Sequence, residues 1–159
     1  MVEKKKRTFI YIDNEDFEIY RRIIKETKYF KRNLELFTCA VLVGKFIVKQ
    51  PLPLKSRKDY IRADTDTSSQ NFTILKCLAI ANYNDVNILN NEDKLYGYCE
   101  KYANAGITKI YEWYTNKNYD FETIISKMLL EFWDKIDLKS LNQLEWGNYF
   151  EWRRYLWRK

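Results

Sequence analysis

Two carboxylates two residues apart, in Asp64-Thr65-Asp66-Thr67, form the one arrangement in the chain that looks like a reaction centre. At a strand end such a pair can bind Mg²⁺ and supply a nucleophile, as in phosphatases of the haloacid dehalogenase type. That chemistry needs a long apolar strand in a parallel sheet, and the stretch before this pair contains Arg62. The same residues, with Ser68 and Ser69, suit the start of a helix, where short polar side chains cap exposed amides. The chain has no histidine. This removes Ser-His and Cys-His nucleophile pairs, imidazole ligands and the commonest general base. No Gly-x-Gly-x-x-Gly or Walker-type loop is present to cradle a phosphate. The expectation is a protein with no catalytic residues, no metal and no cofactor.

Cations are the second kind of candidate. Residues 1–62 hold 16 Lys/Arg and 8 Asp/Glu, and residues 63–159 hold 12 and 14. The halves therefore carry +8 and −2, together the net +6 of the chain. An anionic partner would sit on the first half, and DNA is the expected one. Excess charge also serves solubility alone. The residues assigned to nucleic acid are Lys4, Lys5, Lys6, Arg7, Tyr11, Lys31, Arg32, Asn33, Lys55, Arg57 and Lys58. A third group is aromatic. Trp146, Tyr149, Phe150 and Arg153 would share one helical face, which ordinary core packing also explains. Trp, Tyr and Arg are favoured at protein interfaces, so Trp152, Tyr155 and Trp157 are assigned to a protein partner.

The elements that would carry these residues are mainly helical. Thr8–Ile12 is β-branched and aromatic and predicts a strand with Ile10 and Ile12 toward the core. Asp13 and Asn14 suit the cap of a helix whose apolar stripe is Phe17, Tyr20, Ile23 and Ile24 and which ends near Lys28. Asn33 suits the cap of a second helix over 34–48, apolar on most sides and stopped by Pro51 and Pro53. A basic connector over 55–62 includes a short strand at Tyr60-Ile61. Further helices are expected from Ser68/Ser69 to Tyr83, over 92–115 with a break or kink at Gly106, over 121–134 and over 138–156. The organisation is thus a basic lead-in at 1–7 and one helical domain of about six helices at 8–159. Cys39, Cys77 and Cys99 read as reduced, buried thiols of a cytoplasmic protein. The longest apolar run, Cys39 to Gly44, is far short of the roughly 20 residues of a membrane span, so no membrane partner is expected.

Strand, helix, turn, helix over 8–48 is the order of a ribbon-helix-helix unit. There, two copies of a chain pair their strands, the ribbon enters the major groove, and the second helices meet phosphates with their N-termini. Lys5, Arg7, Phe9 and Tyr11 would then face DNA. The alternative is that the strand pairs inside its own chain.

Several packing motifs carry a family resemblance. They are Phe30, Leu36-Phe37-x-x-Ala40-Val41-x-Val43-Gly44 with the Lys/Pro-rich connector after it, Leu75-x-x-Leu78-Ala79-Ile80-Ala81, and Tyr102-Ala103-Asn104-Ala105-Gly106-Ile107. Over roughly residues 30–115 the chain resembles Dnd system-associated protein 4, a family of small accessory proteins of bacterial DNA phosphorothioation loci. It is more weakly similar to DndE in its helix pair. The resemblance implies an accessory role in anti-phage defence acting on sulfur-modified DNA, beside a larger ATPase or nuclease subunit. It implies no catalytic residue. The expectation is a non-enzymatic subunit that binds DNA, a larger partner protein or both, with self-association open. The alternative is a protein adaptor using the aromatic C-terminal face, without nucleic acid.

Overall fold

A computed structural model describes residues 6–64, 69–116, 120, 123 and 124. The chain divides into two compact units, Met1–Asn118 and Tyr119–Lys159. In the second, Thr123 and Ile124 are helical, and the Thr123 N–H donates to Asp120 Oδ1. The rest of the helix expected over 121–134, all of that over 138–156, and Trp152, Tyr155 and Trp157 lie outside the described residues. Residues 6–64 and 69–116 belong to the first unit.

Its elements are β1 (Phe9–Ile12), α1 (Phe17–Thr27), α2 (Asn33–Val43), a π-helical turn (Gly44–Val48), β2 (Lys58–Arg62), α3 (Gln70–Tyr83), a short 3₁₀ turn (Val86–Asn90) and α4 (Glu92–Thr115). The class is mainly helical, as expected, with four α-helices among the described residues against six predicted for the whole chain. No helix among the described residues is long and apolar enough to cross a membrane.

α4 is the axis of the unit. It is uninterrupted for 24 residues and passes straight through Gly106. The expected break is absent because the glycine serves contact rather than flexibility. A Cβ on Gly106 would lie 1.8 Å from the Ala40 carbonyl oxygen, and one on Gly44 would lie 1.9 Å from that of Tyr102. Neither methyl group can exist at those distances, so α2 and α4 cross with backbone against backbone. Around this crossing pack Leu36, Phe37, Ala40, Val41, Val43, Cys99, Ala103, Ile107 and Ile110, all buried. α2, apolar on most sides as predicted, is central.

The second helix changes character where it leaves the crossing. α-Helical bonding ends at Val43, and the next five residues form a π turn in which the Lys49 N–H reaches back to the Gly44 carbonyl at 2.8 Å. Lys49 itself takes a left-handed conformation (φ 63°) and ends the element. The Pro51-Leu52-Pro53 connector is then fastened to α4. The Leu52 N–H donates to the Lys101 carbonyl at 2.9 Å. The buried Asn104 amide donates to the Leu52 and Pro53 carbonyls at 3.2 and 3.1 Å. Asn104 is therefore a clamp, satisfying carbonyls that two prolines leave without a regular ladder.

β1 pairs antiparallel with β2, Phe9 opposite Arg62 and Ile10 opposite Ile61, with an irregularity between Ile10 and Tyr11. Ile10 and Ile12 are buried, as the alternation predicts. The pairing lies within one chain, which is the alternative to a ribbon shared between two copies. α1 docks on β2 through Tyr20 and Tyr60, whose ring centroids are 4.8 Å apart. α3 begins where predicted, with Ser69 Oγ accepting from the Phe72 N–H.

Two caps differ from expectation. Asp13 does not cap α1; the residue before the helix is Asp16, whose side chain makes no capping bond. Asn33 is the first residue of α2, preceded by Arg32, and no side chain of the preceding residue caps it. The cysteines also differ. Cys99 is buried and Cys39 nearly so, but Cys77 is exposed on α3. Burial pushes the Cys39 thiol up to about 11 and that of Cys99 higher still, which makes both poor nucleophiles.

The crossing generates a paired prediction. Gly106→Ala should destabilise the protein by about 3 kcal/mol or more, because overpacking here displaces a backbone. Gly97→Ala, nine residues earlier in α4, has nothing within 4 Å of the added carbon. It should stabilise by about 0.5–1 kcal/mol, the helix-propensity gain of alanine over glycine. Thermal or urea unfolding of the two variants checks both signs.

Candidate nucleic-acid interface

The residues assigned to nucleic acid separate into three structural groups. The first is buried. Arg7 side-chain exposure is 7%, and its Nη2 lies 2.5 Å from Oε1 of Glu100, itself 5% exposed. Arg7 Nε donates to the Phe9 carbonyl at 2.9 Å, and the Arg7 N–H donates to Glu92 Oε2 at 2.7 Å. The same Glu100 oxygen accepts the Tyr11 N–H at 2.7 Å. Burial raises the Glu100 carboxyl; the Tyr11 N–H and the Arg7 guanidinium oppose it and leave the group above its ordinary value.

This cluster corrects the assignment of Arg7. Its guanidinium is committed to a carboxylate inside the unit and is not presented to a phosphate. The cluster also answers the ribbon-helix-helix expectation. Even-numbered residues of β1 face β2, where the Ala63 N–H meets the Thr8 carbonyl at 2.8 Å. Alternation turns Arg7 N, Phe9 O and Tyr11 N to the other edge. All three are satisfied there by side chains: Glu92, Arg7 itself and Glu100. An edge so occupied has no place for the strand of a second copy.

The second group is exposed, apart from the half-buried Lys58, and sits on the connector and the start of β2. The Arg57 guanidinium lies over the outer side of the sheet, 5.7 Å from the Tyr11 ring centroid, with Arg7 4.6 Å from the same ring. Lys58 Nζ is 3.7 Å from the centroid of Phe17 at the start of α1. Lys55 makes a loose, exposed pair with Glu15 at 3.5 Å, worth little in water. Lys6 is exposed just before β1. Lys4 and Lys5 lie outside the described residues.

Asp13 holds this connector in place. Its Oδ1 accepts from Ser56 Oγ at 2.7 Å and its Oδ2 from the Lys55 N–H at 2.8 Å. Burial pushes the Asp13 carboxyl up, but these bonds outweigh it and hold the group below the usual carboxylate value. Beside it, Asp16 goes the other way. Burial first, then the charges of Asp13 and Glu15, push it up to about 6 against a smaller opposing attraction from Lys55.

The third group, Lys31, Arg32 and Asn33, is exposed at the start of α2. The Lys31 N–H is already taken by Glu35 Oε2 at 2.7 Å, so that amide is closed to a phosphate, while the Lys31 and Arg32 side chains stay exposed. The second and third groups lie at opposite ends of α1, whose 11 residues span about 16 Å. They do not form a single cluster.

Of the carboxylate pair, Asp64 is among the described residues. Both oxygens of Asp64 are held by Arg62, at 3.1 and 2.9 Å. The Arg62 bond is the largest influence on the Asp64 carboxyl, which stays below its ordinary value. Asp66 lies outside the described residues. The strand before the pair belongs to a two-stranded antiparallel sheet, not the parallel sheet that a phosphatase of that type needs. Among the described residues no group of three or more His, Cys, Asp or Glu side chains could hold a metal ion.

The family model described as DNA sulphur modification system-associated protein 4 matches residues 10–143. The chain belongs to that family. No curated protein and no solved structure matches it. The family name associates its members with a DNA sulphur modification system. The matched region takes in the crossing of α2 with α4, the Asn104 clamp and the connector cations Lys55, Arg57 and Lys58. It leaves out Lys4–Arg7 and Trp152, Tyr155 and Trp157.

Sequence reasoning missed Glu100 entirely. A signal was present: Glu100 falls four residues after Tyr96 and three before Ala103, in an otherwise apolar stripe of α4. A carboxylate in such a stripe needs a buried cation, and Arg7 is that cation.

Two outcomes follow. Arg7→Gln should cost about 3–5 kcal/mol of stability by stranding the buried Glu100, whereas Lys6→Gln should leave unfolding unchanged; denaturant titration separates them. Asp16 has its folded value raised, so it weakens folding as pH climbs from about 4 to about 6 and by a constant amount above. Asp16→Asn should therefore be more stable than the wild type at pH 7, by about 1 kcal/mol after screening. The difference should vanish near pH 3.5, as read from melting temperatures across that range.

Proposed function

We propose that this protein is a non-enzymatic accessory subunit of a DNA sulphur modification system, acting in anti-phage defence by holding DNA for a larger partner subunit. The observation that carries the reading is the connector group: Lys55, Arg57 and Lys58 are charged and accessible or partly so. The Asp13 latch fixes the backbone at Lys55 and the Ser56 side chain, and Arg57 and Lys58 lie against the Tyr11 and Phe17 rings. Cations held in place on a surface suit a phosphate backbone, since less side-chain freedom is lost on binding. The family association with DNA modification supports the choice of DNA as the polyanion. Contacts of this kind are to phosphates, so affinity would be largely independent of sequence and steeply dependent on salt.

The test is a fluorescence-anisotropy titration of a labelled duplex at about 50 and about 200 mM salt. Binding should weaken by at least tenfold between the two. Replacing Lys6, Lys55, Arg57 and Lys58 by Gln should remove most of it. Failure of the wild-type protein to bind at the lower salt would refute the DNA reading.

A further inference from the structure

α1 carries a charge pattern that the helix macrodipole alone does not explain. Residues 21–32 include Arg21, Arg22, Lys25, Lys28, Lys31 and Arg32, with Glu26 the only acid among them. These charges are not spread evenly around the helix. At 100° per residue, Phe17, Arg21 and Lys25 follow one another at steps of four along one side, and the exposed Lys28 caps the C-terminal end of the helix. Glu26 lies on the opposite side of that stripe. There it is engaged by Arg22 Nε at 3.1 Å and by the Tyr114 hydroxyl.

The position of Phe17 connects this stripe to the connector. The Lys58 ammonium rests on the Phe17 ring, so the connector cations stand at the N-terminal end of the very side on which Arg21 and Lys25 project. At the other end the chain turns through Lys28, left-handed at φ 57°, to the exposed Lys31 and Arg32. Arg21, Lys25 and Lys28 are exposed. Lys25, Lys28, Lys31 and Arg32 make no ion pair with a described carboxylate, and Arg21 makes a solvent-exposed one with Glu18 at 3.1 Å. The two groups of cations that the fold holds apart are therefore bridged along α1.

We propose that the outer side of α1 is a phosphate-binding ridge for duplex DNA, running from Lys55 and Lys58 through Arg21, Lys25 and Lys28 to Lys31 and Arg32. This rests on the DNA-binding reading above and extends its surface from the connector along α1. The helix contributes about 16 Å of it, which spans roughly four to five phosphate steps at about 3.4 Å of duplex axis each. Neutralised phosphates release counterions, so each ridge cation in contact should add about 0.9 to the slope of log affinity against log salt.

The experiment compares three full-length proteins on one labelled duplex over about 50–300 mM salt: wild type, a ridge variant and a control of equal charge. The ridge variant is Arg21→Gln with Lys25→Gln and Lys28→Gln. The control replaces three exposed lysines elsewhere, Lys49, Lys94 and Lys101, by Gln. All six side chains are exposed, so circular dichroism and melting temperature should match the wild type and exclude misfolding. The expected result is that the ridge variant loses two to three from the salt slope and at least tenfold in affinity at the lower salt, while the control loses less than threefold. Equal losses in both variants would mean that net charge alone acts, and would overturn the ridge. An unchanged ridge variant would overturn it while leaving DNA binding through the connector intact. No binding by the wild type would overturn both readings.

Discussion

Where Gly44 and Gly106 meet, two helices touch through their peptide groups, with no side chain between them. A methyl group on either would sit under 2 Å from a carbonyl oxygen of the facing helix. That closeness sets the height of α2 above α4, and through it the position of everything threaded past the pair. The π turn begins at Gly44. The proline connector that follows it is caught by Asn104, two residues before Gly106. From there the chain runs into the loop that Asp13 latches, and so to the cations on β2. The cationic surface is thus the far end of a chain of constraints whose origin is an apolar crossing.

α4 also ends the sheet. A two-stranded ribbon is marginal on its own and has two open edges. Here one edge is closed by the carboxylates of Glu92 and Glu100, aided by the Arg7 guanidinium folding back on its own strand. This is a polar arrangement in a nearly dry place, which is costly unless every member is satisfied. Its members satisfy one another here: Glu100 takes the Arg7 guanidinium and the Tyr11 N–H, and Glu92 takes the Arg7 N–H. A strand that in another setting would pair with a second copy is here sealed by its own helix.

Much of the fold was legible in the residues. The alternation of Ile10 and Ile12, the apolar surround of α2, the Ser69 start of α3 and the extent of α4 all follow from period and capping, which are local properties. What escaped reading was contact between residues far apart in sequence. Arg7 looked like one more cation of a basic lead-in, because its partner is 93 positions away. Gly106 looked like a helix breaker, because nothing nearby in sequence announces that α2 lies against it. Asp13 had the right type and place for a cap, yet the connector offered it an amide and a hydroxyl that bind it better. The motifs that carry the family resemblance are, for the same reason, mostly the two sides of the α2–α4 crossing. They mark the family without marking the cationic surface. The cations of that surface were visible individually, but their separation by the length of α1 was not.

The sealing of β1 has a consequence in time. Its outer edge is completed by residues 92 and 100, and the crossing that organises the core by residue 106. A chain emerging from the ribosome therefore carries Ile10, Ile12, Phe37 and Val41 before the helix that buries them exists. Structure built on such distant pairs folds more slowly than a simple helical bundle of the same size, and its early half is open to wrong association meanwhile. The net +8 of residues 1–62 opposes such association through self-repulsion between copies of that half.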